Sequence, residues 1–419
     1  MKQGKFVIPI SMLLLSLILI TCDTKNNVEP TFKNYFIRYY GEDGNHEAKD
    51  FVVTNDGGVI IVGTETVGQS QRMYVLKTDL EGNQLWSKTF GSTTNERAQD
   101  IEPIISGVDA SNFVILSNWA KPGADSLAMR LTVVSTNGDS LKSFAINIFE
   151  SQEGNSVTPL QSGEYLVAGK VSNADTLNAE LPGVIDRDDL LSVRVNSSLT
   201  AVTEFDRVGR SSEGANIKVF EANNYIYTVG YSNESISGTP TAVEDGPNFF
   251  FRSLSPPPTS TLTTDYAGTT SERQVMRSVS RTSTGLFFAI GDQTDLTDNP
   301  SSSRAFAVRA IGSVANVDRS RVIFGSNARA VAISSTSSFD QLVLLNSIES
   351  SEQRNIVLLK INIELDEVLS VSFGAPNNDD RGAAVAELPN GDILILGTME
   401  LAGQQDKIAL IKVRANGTF

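Results

Sequence analysis

Three observations predict an all-β chain closed into a ring of seven four-stranded blades, a β-propeller. An aromatic or small residue followed by glycine recurs about every 50 to 60 residues, and each period carries a short apolar run behind a polar turn. No long Ala/Leu/Glu/Lys stretch repeats at helical period, whereas 32 Gly and abundant Ser, Thr, Val and Ile in 419 residues suit many short strands. Propellers of this length run as one domain.

The clearest copies lie 50 residues apart. Tyr40-Gly41-Glu42-Asp43-Gly44-Asn45-His46-Glu47-Ala48-Lys49-Asp50 and Phe90-Gly91-Ser92-Thr93-Thr94-Asn95-Glu96-Arg97-Ala98-Gln99-Asp100 share the aromatic residue, Gly, Asn, Ala and Asp. The pattern returns at Val208-Gly209, Ala267-Gly268, Phe324-Gly325 and Phe373-Gly374, with Ile148-Phe149 in the third slot.

Each strand then has its own signature. An inner strand follows the loop, as at Asp50 to Val53 and Ile101 to Ile105. A turn such as Asn55-Asp56-Gly57-Gly58 leads into an apolar second strand: Val59 to Val62, Phe113 to Leu116, Tyr165 to Val167, Tyr225 to Val229, Leu286 to Ile290, Leu342 to Leu345 and Ile393 to Leu396. The third strand alternates apolar and polar residues, as in Met73 to Thr78, and ends at turns such as Leu80-Glu81-Gly82-Asn83. A fourth strand closes six of the periods, but the chain stops at Phe419 without a seventh. Asn34 to Gly41 has the fourth-strand pattern, so it is expected to complete the last blade beside Lys407 to Arg414 and close the ring.

Residues 1–21 read as a secretory signal, with Lys2 and Lys5 ahead of the apolar run Phe6 to Ile20, which is short for a membrane span. Leu19-Ile20-Thr21-Cys22 resembles a lipobox, and Cys22 is the chain's only cysteine. The resemblance implies a lipidated Cys22 at the start of the mature protein. Residues 22–33, polar and carrying Pro30, read as that residue and a flexible tether, followed by a single propeller domain over 34–419.

Asp56-Gly57-Gly58-Val59-Ile60-Ile61-Val62-Gly63-Thr64 and its second copy Asn390-Gly391-Asp392-Ile393-Leu394-Ile395-Leu396-Gly397-Thr398 resemble the repeats of Bacteroidota surface lipoproteins with seven-bladed propellers. That resemblance implies the fold and an outer-membrane location, facing the periplasm or the exterior.

The formal net charge of −15 disfavours nucleic acid, whose binding rests on Lys and Arg neutralising phosphates. With His46 the single histidine and Cys22 committed to lipid, no Ser/His/Asp triad is possible unless His46 serves it, cysteine nucleophiles and His-rich zinc sites find no candidates, and no phosphate-binding glycine loop occurs. His46 is read as holding the loop position of Glu96 and Glu272. The acids Glu96, Glu153, Glu213, Glu272 and Asp380 head the inner strands as a ring near the channel, expected to bind loop N–H groups or Arg97, Arg273 and Arg381. Asp186, Asp188, Asp292 and Asp295 are oxygen ligands suited to calcium, but their spacing is not that of an EF-hand, and no other cofactor is expected.

The connections Ser172 to Asp188, Ser232 to Pro247 and Asp292 to Ser303 are long for a compact domain. Their Asp175, Glu180, Asp186, Asp188, Glu234, Glu244, Asp245, Asp292, Asp295 and Asp298 form an expected acidic recognition face. The function expected from these features is a membrane-anchored, non-catalytic binding or scaffold propeller for a protein or glycan partner. The alternative is a propeller glycoside hydrolase or lyase that works from carboxylates near the central channel.

Overall fold

The computed structural model describes residues 34–91, 95–123, 126–172, 188–208, 214–222, 225–232, 248–254, 264–267, 272–295, 303–311, 316–350, 353–375, 378–401 and 405–419. They form seven four-stranded antiparallel sheets. The first strand, β1 (Phe36–Tyr40), belongs to the last of these. Blade 1 comprises β2 (Asn45–Val53), β3 (Gly58–Val67), β4 (Ser70–Asp79) and β5 (Gln84–Phe90). Blade 2 comprises β6 (Glu96–Pro103), β7 (Phe113–Ala120), β8 (Leu127–Val134) and β9 (Ser140–Ile146). Blade 3 comprises β10 (Gln152–Pro159), β11 (Tyr165–Ser172), β12 (Asp188–Val195) and β13 (Val202–Val208). Blade 4 comprises β14 (Gly214–Ala222), β15 (Tyr225–Ser232), β16 (Asn248–Leu254) and β17 (Thr264–Ala267). Blade 5 comprises β18 (Glu272–Arg281), β19 (Leu286–Asp295), β20 (Arg304–Ile311) and β21 (Asn316–Ser326). Blade 6 comprises β22 (Ala328–Ser335), β23 (Gln341–Ser350), β24 (Gln353–Ile361) and β25 (Glu367–Phe373). Blade 7 holds β26 (Arg381–Glu387), β27 (Ile393–Leu401) and β28 (Gln405–Val413), and β1 is its outer strand.

The ring closes as the repeat requires. β1 pairs antiparallel with β28 from Phe36 opposite Lys412 to Tyr40 opposite Ile408. Each inner strand touches the inner strand of the next blade, and β26 touches β2. The two chain ends of the ring are thereby held in one sheet, which leaves no blade incomplete.

Second strands are continuous apolar runs because a neighbouring blade covers each face; Val59, Ile60, Ile61 and Val62 are all fully buried. Outer strands alternate instead and leave residues such as Leu85 and Val368 exposed. Among the described residues the apolar core divides into seven clusters, one between each pair of adjacent blades. Burying each Ile or Leu there contributes about 1.5–3 kcal/mol. Stability therefore resides between blades.

All seven inner strands carry a bulge at one register position. In β2 it falls between Ala48 and Asp50, in β6 between Ala98 and Asp100, and in β10 between Gly154 and Ser156. The others lie between Asn216 and Lys218, Met276 and Ser278, Ala330 and Ala332, and Gly382 and Ala384. The bulge drives an inner-strand carbonyl against the second strand, which explains the glycines there: a Cβ on Gly169 would sit 2.0 Å from the Glu153 oxygen. No helix among the described residues is long and apolar enough to cross a membrane, and residues 1–33, Cys22 included, lie outside them.

Candidate functional site

Polar side chains tie neighbouring blades together at one recurrent position. The residue after the second-strand glycine position accepts a hydrogen bond from the backbone N–H just before the next blade's bulge. Thr398 Oγ1 accepts from Ala48 at 2.9 Å, Asn118 Oδ1 from Gly154 at 2.9 Å, and Asn346 Oδ1 from Gly382 at 2.8 Å. Asp292 Oδ1 does the same for Ala330 at 2.9 Å, while its Oδ2 accepts from Arg277 Nε at 2.8 Å.

Asp292 is therefore a buried tie between blades 5 and 6. Asp188 receives the Lys170 ammonium at 2.7 Å, and Asp295 also has a partner. Asp175, Glu180, Asp186, Glu234, Glu244, Asp245 and Asp298 lie outside the described residues. No group of three or more His, Cys, Asp or Glu among the described residues is arranged to hold a metal.

Only two of the strand-head acids share one register. The position of His46 is held by Glu96, Gln152, Gln274 and Asp380, each two residues before its bulge, so Glu153 and Glu272 stand elsewhere on their strands, and Glu213 lies outside the described residues. These side chains serve the loops. Glu96 accepts from Ser117 Oγ and Arg130 Nη1, both at 2.6 Å, and Arg97 instead donates to Gln71 Oε1 at 2.7 Å. Asp380 accepts the N–H groups of Ala375 at 2.8 Å and Glu400 at 3.2 Å. The repeat glycine packs on this position: Gly41, at φ +109°, lies so close to His46 that a Cβ would meet its ring at 2.4 Å.

A different cluster occupies the inner edge of the ring. Asp50 and Asp100 follow the bulges of β2 and β6, and their carboxyls are hydrogen-bonded to each other, which requires a proton between them. The pair is fixed by backbone donors: Phe51 N and Ile101 N reach Asp50 at 2.8 and 3.3 Å, and Val157 N reaches Asp100 at 2.7 Å. Glu102 stands two residues beyond Asp100 on β6. Lys218, after the bulge of β14, reaches past blade 3 to place its Nζ 2.5 Å from Glu102 Oε1.

Burial, followed by the Asp50 charge and hydrogen bond, pushes the Asp100 carboxyl up to about 8, against the pull of Lys218. Burial likewise raises Asp50 and Glu102, opposed by the Asp100 hydrogen bond and by Lys218 respectively. For Lys218 burial favours the neutral amine, but Glu102, Asp100 and Asp50 outweigh it and hold the ammonium above its ordinary range. The cluster is enclosed by protein yet wet, since the Lys218 and Glu102 side chains keep 26% and 28% of their surface open. It thus combines a hydrogen-bonded carboxyl pair, a third carboxyl that burial pushes toward its protonated form, and a cation that all three hold.

A tie between blades does not need this much charge. At the position of Asp50 and Asp100, blade 5 uses Ser278, whose Oγ accepts from Ile333 N at 3.3 Å. Carboxyl groups with separated proton affinities are the usual equipment for acid–base chemistry.

The coincident Asp50 and Asp100 were visible in the repeat. Glu102 and Lys218 had no local signal, because the ring alone brings them together.

No family model and no curated protein matches this chain. Among solved structures, a crystal structure of polysaccharide lyase Uly1 is 9% identical, with 90% of this chain and 91% of that one covered at TM-score 0.52. Pyrococcus horikoshii acylaminoacyl peptidase is 10% identical over 87% of this chain but 51% of its own, at TM-score 0.50. A protein of unknown function from Dyadobacter fermentans is 12% identical, covering 90% and 97%, at TM-score 0.47.

At such identities the likeness concerns the fold alone. It nonetheless corrects the expectation of a non-enzyme, which rested on missing motifs: enzymes share this fold, so the missing triads and nucleophiles do not exclude catalysis.

Proposed function

We propose that the propeller cleaves an uncharged polysaccharide, with Asp100 as the general acid of a glycoside hydrolase. The observation that carries this reading is the fixed Asp50–Asp100 carboxyl pair at the inner edge of the ring, with Glu102 two residues beyond Asp100 and held by Lys218 at 2.5 Å. Asp100 gives its proton to the glycosidic oxygen as the bond to the sugar carbon breaks. Glu102 takes a proton from the water whose oxygen joins that carbon, so the two carboxyls exchange protonation states through the reaction.

Asp100 and Glu102 stand two residues apart on β6, so both side chains share one face of the strand, as two carboxyls acting on one bond must. Lys218 orients Glu102 and favours its ionised form, and Asp50 keeps the proton on Asp100. Two features favour hydrolysis over elimination from an acidic sugar. The chain's net charge of −15 repels polyuronates, and the cation of the cluster is already engaged by Glu102.

The fold it shares with a polysaccharide lyase supports glycan cleavage as a class. The same proposal anchors the protein to the outer membrane through Cys22, by the lipobox and repeat resemblance, with the acidic second-to-third connections recognising the glycan or a protein partner.

The test is release of reducing ends from glucans, xylan, mannan and arabinan. At least one should be cleaved, with Asp100→Asn and Glu102→Gln each lowering the rate by about 100-fold or more. Undiminished turnover by Asp100→Asn would overturn the proposal. So would products carrying the ultraviolet absorbance of an unsaturated uronate.

A further inference from the structure

A cavity of about 370 Å³ opens where blades 1, 2 and 3 meet, lined on its polar side by Gln71, Asn95, Arg97, Gln99, Asn118 and Glu153. We infer that it binds one uncharged sugar unit of a glycan. This rests on the polysaccharide reading above for its biological sense, though not for its chemistry.

The lining matches a polyol. Four of the six polar side chains are primary amides, which offer a donor and an acceptor on one planar group and so pair with hydroxyls of either role. The one arginine and the one glutamate balance in charge, so an ionic ligand gains nothing from the cavity as a whole. Ala120 and Leu127 supply an apolar patch for the C–H face of a ring.

Several walls are already held in place. Arg97 Nε donates to Gln71 Oε1 at 2.7 Å, and Gln71 N donates to Asn95 Oδ1 at 3.1 Å. Asn118 is locked to Gly154 in both directions, at 2.9 and 3.0 Å. Preorganised donors cost little ordering entropy when a ligand arrives.

The bulge of β6 links this cavity to the channel. Gln99 is the extra residue of that bulge and lines the cavity, whereas the next residue, Asp100, belongs to the carboxyl pair. A sugar held on Gln99 is therefore one residue along the chain from the proposed acid.

Calorimetric titration of the full chain in detergent micelles tests the inference, with cello-, laminari-, xylo- and mannohexaose as neutral probes and a galacturonate hexamer as the acidic one. Asp100→Asn is the background, so that binding is read without cleavage. One neutral hexamer should bind, and Gln99→Ala should weaken it about tenfold or more, the loss of roughly one hydrogen bond. Arg97→Gln, at an exposed position, should act in the same direction and guards against misfolding of the first variant.

Tighter binding of the galacturonate hexamer, no binding of any neutral probe, or affinity unchanged in both variants would each overturn the inference. Cleavage surviving in Asp100→Asn alone would sink the channel mechanism while leaving a bound sugar in this cavity intact.

Discussion

The Lys218 ammonium lies 2.5 Å from Glu102 Oε1, although 116 residues and the whole of blade 3 separate them in sequence. The contact joins blade 4 to blade 2 across the inner edge of the ring, and it neutralises part of a cluster with three carboxyl groups. Lys218→Met should leave that charge uncompensated. We expect a loss of about 1–3 kcal/mol in urea unfolding, below the roughly 3–5 kcal/mol of a wholly buried pair because both groups remain partly hydrated. A change within 0.5 kcal/mol would show that the bridge carries no net stability.

Asp100 makes stability depend on pH in the alkaline direction. Its folded pKa of about 8 lies above the unfolded value near 4. The contribution is thus complete below about pH 4 and is lost as pH rises through about 8. Asp100→Asn keeps the shape but cannot ionise, so it should be more stable than the parent at pH 9, by at least about 1 kcal/mol, with the gap closing toward pH 4. Denaturant titrations at these two pH values check the sign.

His46 works in the opposite pH range. It is 1% exposed, and burial, with Lys407 adding to it, lowers its pKa. Its contribution is complete above the unfolded value near 6.5 and falls away as pH drops toward the folded one, by up to about 1.4 kcal/mol per pH unit. Glutamine occupies the same register position in blades 3 and 5. His46→Gln should accordingly flatten the melting temperature between pH 6.5 and 5, and an unchanged slope would assign the acid sensitivity elsewhere.

Deleting residues 34–40 removes β1 and unpairs β28. It also removes the bond from the Tyr40 hydroxyl to the Gly82 carbonyl at 2.7 Å, a link from blade 7 to blade 1. Thermal unfolding should drop by about 10 °C or more, with light scattering from the exposed edge. A melting temperature equal to that of the intact chain is the result that would refute closure by this strand.

Cys22→Ser should abolish partitioning into the detergent phase and leave the precursor uncleaved in the cell envelope. Unaltered partitioning would refute lipid anchoring.

The ring was legible in sequence because each blade repeats the same demands: a glycine beside the first inner-strand side chain, an apolar run covered on both faces, and a turn. Its closure was legible as well, from a fourth-strand pattern at Asn34 to Gly41. The strand-head acids were harder to place, since the loop from Gly374 to Asp380 is one residue longer than that from Gly41 to His46, and a one-residue slip turns a side chain to the other face. The role of Asp292 was hidden for a related reason. An acidic string near a long connection reads as surface, whereas the N–H of Ala330 in the next blade claims this residue as an acceptor. Lys218 and Glu102 meet only through the curvature of the whole ring, which no short window of sequence encodes.

The seven bulges give a near-symmetric ring a directional interior. The position after each bulge reads Asp50, Asp100, Ser156, Lys218, Ser278, Ala332 and Ala384 around the axis, so charge is confined to one arc while blades 6 and 7 present only methyl groups. The ring is therefore electrically lopsided at this register, which seven equal repeats would not be. Ala384 belongs to the apolar cluster between blades 7 and 1, and Ala332 packs against the one between blades 6 and 7. One register thus serves two ends, polar groups in blades 1 to 5 and packing between blades in 6 and 7.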